Sequence, residues 1–233
     1  MIKHIDDLDS LRLKTHGGVY EAFETAWVRK VLKPWNVFVD VGAHIGYYSA
    51  LAADVMDGAG RVYAFEPCPA NFYLLQKNTS IYGNLIKAFG MAVGEKVCQG
   101  ELYLSSSNTG DHRLAQVADR QAIPVCVTTL DAALADVEKI DLLKIDVQGS
   151  ECRVMRGARE IIGRSPNIKG IVEYSPELLP LAGEKLTDFF DIFKSLGLRL
   201  FMRREKSIIP ADVPWLMGYH RHLNLFFSKG KTK

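Results

Sequence analysis

The chain has 233 residues, of which 48% are apolar and 24% are charged, a balance typical of one folded domain and not of a disordered chain. Its formal charge of +2 gives no basic field of the kind that holds nucleic acid, so we do not expect a nucleic acid partner. The four cysteines form no CxxC pair, and no long apolar run predicts a signal peptide or a membrane span, so we expect a soluble cytoplasmic protein with free thiols.

Short apolar strands alternate with helical segments along most of the chain. We predict helices at 19–32, 47–56, 71–82, 151–162 and 186–196, and strands at 37–41, 61–65, 86–92, 102–105, 124–128, 140–145, 168–173, 198–203 and 223–228. This order predicts an α/β fold with a mainly parallel sheet, helices on both faces and a small antiparallel insertion. We treat residues 1–233 as one domain, with an N-terminal helical segment at 1–33, a core at 34–233 and the insertion around 98–128.

Ligands of such sheets bind outside the carboxyl ends of the strands, so the residues that follow the first strand are candidates. Gly42 and Gly46 lie in a tight turn with His44 between them, and glycines let a backbone approach a ligand closely. A simple glycine turn is the alternative. The G-x-x-x-G spacing differs from the G-x-G-x-x-G of dinucleotide binders, which favours a ligand without pyrophosphate. Asp40, at the strand end, favours a cationic one.

Glu66 follows the second strand, 20 residues after Gly46. An acid at this place accepts hydrogen bonds from both ribose hydroxyls of a nucleoside in nucleotide-binding folds; a solvated carboxylate is the alternative. A ligand that combines a ribose with a positive centre and lacks pyrophosphate is S-adenosylmethionine.

Two further carboxylates end later strands. Asp146 follows the 140–145 strand, in which Lys144 is a charged residue that needs a partner. Glu173 ends the next strand and is expected to face the same crevice. A carboxylate pair can orient a hydroxyl and take its proton, or bind a metal ion, and a helix N-cap is an alternative role for Asp146.

A polar loop at 105–113 contains His112, a candidate general base because the pKa of histidine lies near the working range. Among the other histidines, His44 stands out because it lies in the glycine turn. His220 and His222 are interpreted as solvated residues, and we predict no metal site.

Four blocks of sequence together resemble the FkbM family of S-adenosylmethionine-dependent methyltransferases. They are Val37-Phe-Val-Asp-Val-Gly-Ala-His-Ile-Gly-Tyr-Tyr-Ser49, Ala64-Phe-Glu-Pro-Cys-Pro-Ala-Asn-Phe72, Thr129-Leu-Asp131 and Leu142-Leu-Lys-Ile-Asp-Val-Gln-Gly-Ser-Glu151. The resemblance implies a Rossmann-like class I methyltransferase fold, with a seven-stranded sheet whose last strand is antiparallel. It also implies methylation of a hydroxyl oxygen on a sugar or other small molecule, such as a secondary metabolite.

The resemblance assigns roles to the candidate residues. The methionine part of the cofactor is assigned to Asp40, Gly42 and Gly46, the ribose to Glu66, the adenine to Met91 and Ala92, and the transferred methyl to the neighbourhood of Asp146. Two residues depart from the family pattern, His44 where the family usually has Asn and Gln148 where it usually has Glu. The first bears on cofactor contact, and the second removes a carboxylate.

The expected reaction is direct methyl transfer, with Asp146 or His112 as the base and Glu173 orienting the acceptor. An NAD-dependent oxidoreductase is an alternative, although the turn lacks a third glycine. A catalytically idle nucleoside-binding protein of the same fold is another. The sequence names neither the acceptor nor the oligomeric state.

Overall fold

The structure is a computed structural model and describes residues 19–230. The strands are β1 (Val37–Val41), β2 (Arg61–Phe65), β3 (Ile86–Phe89), β4 (Ala92–Val93), β5 (Cys98–Tyr103), β6 (Ala122–Thr128), β7 (Leu142–Ile145), β8 (Lys169–Tyr174), β9 (Arg199–Arg204), β10 (Ser207–Pro210) and β11 (Leu223–Ser228). The helices are α1 (Ala22–Val31), α2 (Tyr47–Met56), α3 (Pro69–Thr79), α4 (Leu130–Ala133), α5 (Glu151–Arg156), α6 (Arg159–Gly163), α7 (Leu186–Ser195) and α8 (Val213–Met217).

Within the described residues, the main sheet has eight strands in the order β10-β9-β11-β8-β7-β1-β2-β3. β11 runs antiparallel between β8 and β9, so the expected antiparallel last strand is confirmed. The sheet has one strand more than the seven expected, because β10 pairs with β9 as a hairpin. The α/β class is confirmed.

Alternating side chains of the strands build one core on each face of the sheet. On β1, Phe38 packs with α1 and α2, whereas Val39 and Val41 belong to the cluster that includes α5, α6 and α7. A central parallel strand buried on both faces reads as a continuous apolar run. That run made β1 easy to predict, and Asp40 is the one charged residue within it.

Two predicted elements are each divided into two in the structure. The strand predicted at 86–92 divides into β3 and β4, which belong to different sheets. The helix predicted at 151–162 divides into α5 and α6, because the side chain of Asp131 accepts the N–H groups of Glu160 and Ile161 and so fixes the start of α6. The predicted insertion is present, with β5 antiparallel to β6, and β4 joins it alongside β6.

Strand register sets the position of the carboxylates. Val41 is level with Phe65 on β2 and with Ile145 on β7, and Ile145 is level with Val172 on β8. The next residue of each strand therefore lies at the same edge of the sheet, which places Asp146 beside Glu173 and separates Asp146 from Glu66 by Gly42 of the intervening β1. Residues 1–18 of the predicted N-terminal segment, and residues 231–233, lie outside the described residues. Among residues 19–230, no helix has the length and apolar character needed to cross a membrane.

Candidate active site

A cleft of about 1260 Å³ opens at the carboxyl ends of the parallel strands. This volume exceeds the ~300–1,000 Å³ of a pocket for one small molecule, which is consistent with two ligands bound together. The structure brings nine of the predicted residues together in its lining: Asp40, Gly42, His44, Glu66, Met91, Ala92, His112, Asp146 and Glu173.

The two glycines of the turn serve packing more than ligand approach. Both have positive φ, 78° at Gly42 and 91° at Gly46. A Cβ on Gly42 would lie 1.8 Å from the carbonyl oxygen of Asp146, and one on Gly46 would lie 2.7 Å from a side-chain carbon of Leu75 on α3. Gly46 is not among the residues that line the cleft, and this packing requires a glycine there; its cofactor contact stays a prediction.

Asp40 is buried at the end of β1 and faces the cleft. Its Oδ2 accepts a hydrogen bond from Ser49 at 2.7 Å, whereas Oδ1 has no hydrogen-bond partner among the described residues. Burial raises the pKa of this carboxyl, and the charge of Lys144 opposes the rise. An unsatisfied buried oxygen on a cleft wall is a candidate contact for a bound cation or donor.

Glu66 is the predicted ribose ligand, and its carboxylate is held by two backbone groups. The N–H of His44 donates to Oε2 at 2.9 Å and the N–H of Cys68 donates to Oε1 at 2.9 Å. A carboxylate has about four acceptor positions; these two donors and the nearby Asn71 side chain leave part of that capacity for a ligand. Burial raises the pKa of Glu66 to about 7, although the two backbone donors act in the opposite direction.

The loop between β5 and β6 lies over this end of the cleft. The ring of His44 is hydrogen bonded to the Thr109 hydroxyl at 3.1 Å, and Asn71 on α3 donates to the Thr109 carbonyl at 2.9 Å. Burial lowers the pKa of His44 to about 4. His44 is therefore a neutral residue that ties the loop to the glycine turn.

Lys144 has the partner that its place in an apolar strand required. Its Nζ lies 3.1 Å from Asp146 Oδ2 and 5.0 Å from the centre of the Tyr48 ring. Burial alone would lower the pKa of Lys144, but the negative charges of Asp146 and Asp40 raise it above its ordinary value. Lys144 is therefore a permanent cation beneath the cleft.

Asp146 and Glu173 are joined by one amide. Gln148 Nε2 lies 2.9 Å from Asp146 Oδ1 and 2.9 Å from Glu173 Oε2. Burial acts to raise the pKa of Asp146, but Lys144 and Gln148 bring it below its ordinary value. Burial and the charges of Asp146 and Glu151 raise the pKa of Glu173 well above its ordinary value. The two carboxylates therefore differ in basicity: Asp146 is the weaker base and Glu173 is the stronger one.

The alternative cap role of Asp146 is wrong, because the N-cap of α5 is Ser150. No set of three or more metal-ligating side chains is found in residues 19–230. The space between the carboxylates of Asp146 and Glu173 contains the amide nitrogen of Gln148, which donates to both.

His112 accepts a hydrogen bond at Nδ1 from the N–H of Ser105 at 3.0 Å. In the neutral ring this places the proton on Nε2. Burial lowers the pKa of His112, and the charge of Arg120 adds to this effect. In this arrangement His112 is a hydrogen-bond donor through Nε2, and its role as a base stays a prediction.

Several lining residues come from segments that were not predicted to belong to the site. Glu21, before α1, accepts hydrogen bonds from the Tyr48 hydroxyl at 2.6 Å and from Asn224 on β11 at 3.1 Å. Trp215, on α8, is 47% exposed and stacks on Tyr219 with ring centres 4.6 Å apart. No local motif marks these positions, since they reach the cleft only through the fold.

The cleft is acidic although the chain has a formal charge of +2. Among the described residues its lining includes three basic side chains, Arg113, Lys144 and Arg203, and eight acidic ones, Glu21, Glu24, Asp40, Glu66, Asp111, Asp146, Glu173 and Glu177. With all groups ionised, the formal charge of the lining is −5, and the raised pKa values of Asp40, Glu66 and Glu173 make it less negative near neutral pH. A low-dielectric cleft whose lining carries charge of one sign raises the local concentration of ligands with the opposite charge.

This sheet order, with an acidic cleft at the strand ends, defines a Rossmann-like methyltransferase fold. The crystal structure of methyltransferase FkbM from Methylobacillus flagellatus KT shares the fold, with a TM-score of 0.55 and 19% identity over 84% of this chain and 44% of that one. So does the precorrin-6y C5,15-methyltransferase of Geobacter metallireducens GS-15, with a TM-score of 0.53 and 12% identity over 97% of this chain and 98% of that one.

The chain belongs to the FkbM methyltransferase family, whose domain matches residues 40–200. The curated 31-O-demethyl-FK506 methyltransferase FkbM of Streptomyces tacrolimicus is 30% identical in an alignment 161 residues long, and the match covers 55% of this chain and 62% of that protein. This chain therefore spans less than two thirds of the length of that relative. The resemblance inferred from the four sequence blocks is confirmed.

Proposed function

We propose that this chain is an S-adenosylmethionine-dependent methyltransferase that methylates a hydroxyl oxygen of a small molecule, such as a sugar or secondary metabolite. The observation that carries the proposal is the position of Glu66. Its carboxylate lines the cleft, is fixed by two backbone donors, and keeps part of its acceptor capacity for a ligand. The two adjacent hydroxyls of a ribose fit such an acceptor.

Other residues of the cleft fit the same cofactor. The unsatisfied Oδ1 of Asp40 suits a cationic donor such as an ammonium group. Met91, just before β4, and Ala92, the first residue of β4, supply apolar lining beside the nucleoside end. The acidic lining favours a sulfonium compound and disfavours the phosphates of NAD, which supports the proposal over the oxidoreductase alternative.

The cofactor, when bound, supplies a methyl group activated by its sulfonium sulfur, which leaves as a neutral thioether. The protein then has to align an acceptor oxygen and remove its proton. Glu173 suits proton removal, because its raised pKa makes it the stronger base of the pair. Asp146 stays ionised beside Lys144 and is suited to orienting the acceptor. This assignment reverses the roles expected from the sequence.

The acceptor side of the cleft combines carboxylates with one exposed and one partly buried aromatic ring. Trp215 and Tyr219 form a stacked pair there, with Glu173 and Glu177 in the same lining. Rings that stack and carboxylates that accept hydrogen bonds suit a hydroxylated ring. The name of the Streptomyces tacrolimicus relative also specifies an oxygen position of a small molecule.

Calorimetry with S-adenosylhomocysteine tests the cofactor. We expect the native protein to bind it, and Glu66→Ala to weaken binding by about tenfold or more because two hydrogen bonds to a charged acceptor are lost. Glu138→Ala removes an exposed glutamate outside the cleft and should leave binding unchanged. The absence of binding by the native protein would contradict the proposal.

Two further measurements separate the alternatives. A titration with NADH, followed by nicotinamide fluorescence, should show no binding in the cleft. Transfer of labelled methyl groups to a panel of hydroxylated acceptors should show turnover. Cofactor binding without turnover on any of them would favour the idle binding protein.

A further inference from the structure

We infer that Gln148 is a positioning residue, whose side-chain amide holds the carboxylate of Glu173 beside that of Asp146 and directs it towards the acceptor. The inference rests on the proposed function, since the acceptor is the substrate of that reaction.

The contacts of Gln148 use both of its N–H donors. Nε2 lies 2.9 Å from Asp146 Oδ1 and 2.9 Å from Glu173 Oε2, and an amide nitrogen has two hydrogens to donate. The second oxygen of Asp146 is bound by Lys144 at 3.1 Å. Asp146 is therefore held on both oxygens, and Glu173 is tied to it through one amide.

The backbone at Gln148 is built to present this side chain. Its φ is +53° and that of Gly149 is +103°, and a non-glycine residue adopts such a conformation only where its surroundings impose it. Glu151 imposes it here, because its buried Oε1 accepts the N–H groups of Val147 at 3.2 Å and Gly149 at 3.1 Å. The carboxylate of Glu151 thus holds the backbone of the turn, and Gln148 lines the cleft.

A neutral side chain is essential to this arrangement. Glu173 faces Lys144 and Asp146 from β7, Glu151 from α5, Ser175 at the end of its own strand, and Tyr20 from the segment before α1. An ionised glutamate at position 148 would add a third carboxylate and would donate no hydrogen bond. The Gln148 amide instead lets an ionised Asp146 and a proton-accepting Glu173 share one site. The proton that Glu173 takes from the acceptor hydroxyl passes to solvent when the product leaves.

The test is a pH titration of Glu173, followed by NMR of the carboxyl carbon in protein labelled at that position of glutamate and assigned with Glu173→Gln. Two variants are compared with the native protein. Gln148→Glu should raise the titration midpoint of Glu173 by about one unit or more, because a like charge is added. Gln148→Met, which removes both donors without adding charge, should raise it by a smaller amount.

Gln76→Glu is the matched control, since it makes the same chemical change at an exposed position on α3 and should leave the midpoint unchanged. If Gln148→Glu does not fold, Gln148→Met decides the question. If Glu173 titrates with the same midpoint in Gln148→Met as in the native protein, the inference is overturned. This holds even if Gln148→Met has a lower melting temperature, since that result would mean that Gln148 only supports the turn.

Affinity for S-adenosylhomocysteine separates this inference from the proposed function. Gln148→Met should bind within about threefold of the native protein, because Gln148 is assigned to the acceptor and not to the cofactor. If no variant and no native protein binds, the proposed function fails, while the titration still reports on the role of Gln148. A loss of cofactor binding in Gln148→Met together with an unshifted midpoint would contradict the positioning role.

Discussion

Lys144 Nζ lies 3.1 Å from Asp146 Oδ2, and the two residues are neighbours on the same side of β7, one inside the strand and one just beyond its end. The ammonium group is almost fully buried, whereas the carboxylate is about a quarter exposed, at 26%. A buried cation therefore supports an anion that faces the cleft. This pair keeps Asp146 ionised without closing it off from a ligand.

Removal of the cation should destabilise the protein. Lys144→Met leaves Asp146 and Asp40 without their counter-charge, and breaking a buried pair costs about 3 kcal/mol. Urea unfolding should show this loss, and the double variant Lys144→Met/Asp146→Asn should recover part of it. Equal unfolding free energies for the native protein and Lys144→Met would show that the pair contributes nothing.

Cofactor affinity should depend on pH through Glu66. Its pKa is about 7 in the free protein, and ribose hydroxyls that donate to it favour the ionised form. Affinity for S-adenosylhomocysteine should therefore be constant above about pH 8 and fall by up to about tenfold per unit below pH 7. The pKa of His44, about 4, lies outside this window.

Calorimetry between pH 6 and 8.5 measures this dependence. Glu66→Gln cannot ionise, so we expect it to bind more weakly and with a flat profile over the same range. A native profile that is equally flat would disprove the link between Glu66 and the ligand.

Glu151 should make the fold more stable at lower pH. Burial raises its pKa to about 7, so the folded state binds its proton more tightly than the unfolded state does. The stability it contributes is complete below about pH 4.5 and is lost as pH rises through 7. Glu66 and Glu173 act in the same direction, so the slope for Glu151 alone is the difference between the native protein and Glu151→Gln in urea unfolding from pH 5 to 8.

The same residue has a second, pH-independent role. Glu151→Ala leaves the N–H groups of Val147 and Gly149 without their acceptor, which should lower the unfolding free energy by about 2 kcal/mol relative to Glu151→Gln. Identical stabilities of the two variants would show that the turn does not need this clamp.

The loop between β5 and β6 should control how long the cofactor stays bound. Asn71→Ala removes the hydrogen bond to the Thr109 carbonyl, which loosens the loop over the ribose end of the cleft. We expect dissociation of S-adenosylhomocysteine, measured by stopped flow, to become several-fold faster. Asn36→Ala changes an asparagine outside the cleft and is the control, with an unchanged rate. An unchanged rate in Asn71→Ala would assign the loop no part in retention.

The sequence was informative where local pattern and function coincide. Short apolar runs predicted β1 and β2 to the residue, and the rule that ligands bind at strand ends selected Asp40, Glu66, Asp146 and Glu173, which all line the cleft. Charged residues at the ends of buried strands can be recognised in the sequence alone, because a charge beside an apolar run has no role in packing the core.

The rest depends on tertiary contacts. Glu21 lies 203 residues from its partner Asn224, and no spacing rule connects such positions. β10 and α8 are elements of four and five residues, and α8 buries only Leu216, so neither is long enough to show a strong periodic pattern. The tautomer of His112 follows from one backbone N–H, and the exclusion of Gly46 from the cleft follows from the packing of α3.

A crystal structure of the protein with S-adenosylhomocysteine is the most direct measurement of the central claim. We expect the nucleoside in the cleft with both ribose hydroxyls on the carboxylate of Glu66, the sulfur towards Asp146, and the backbone N–H groups of His44 and Cys68 still on Glu66. A ligand bound elsewhere, or a Glu66 carboxylate that makes no contact with the ribose, would contradict it.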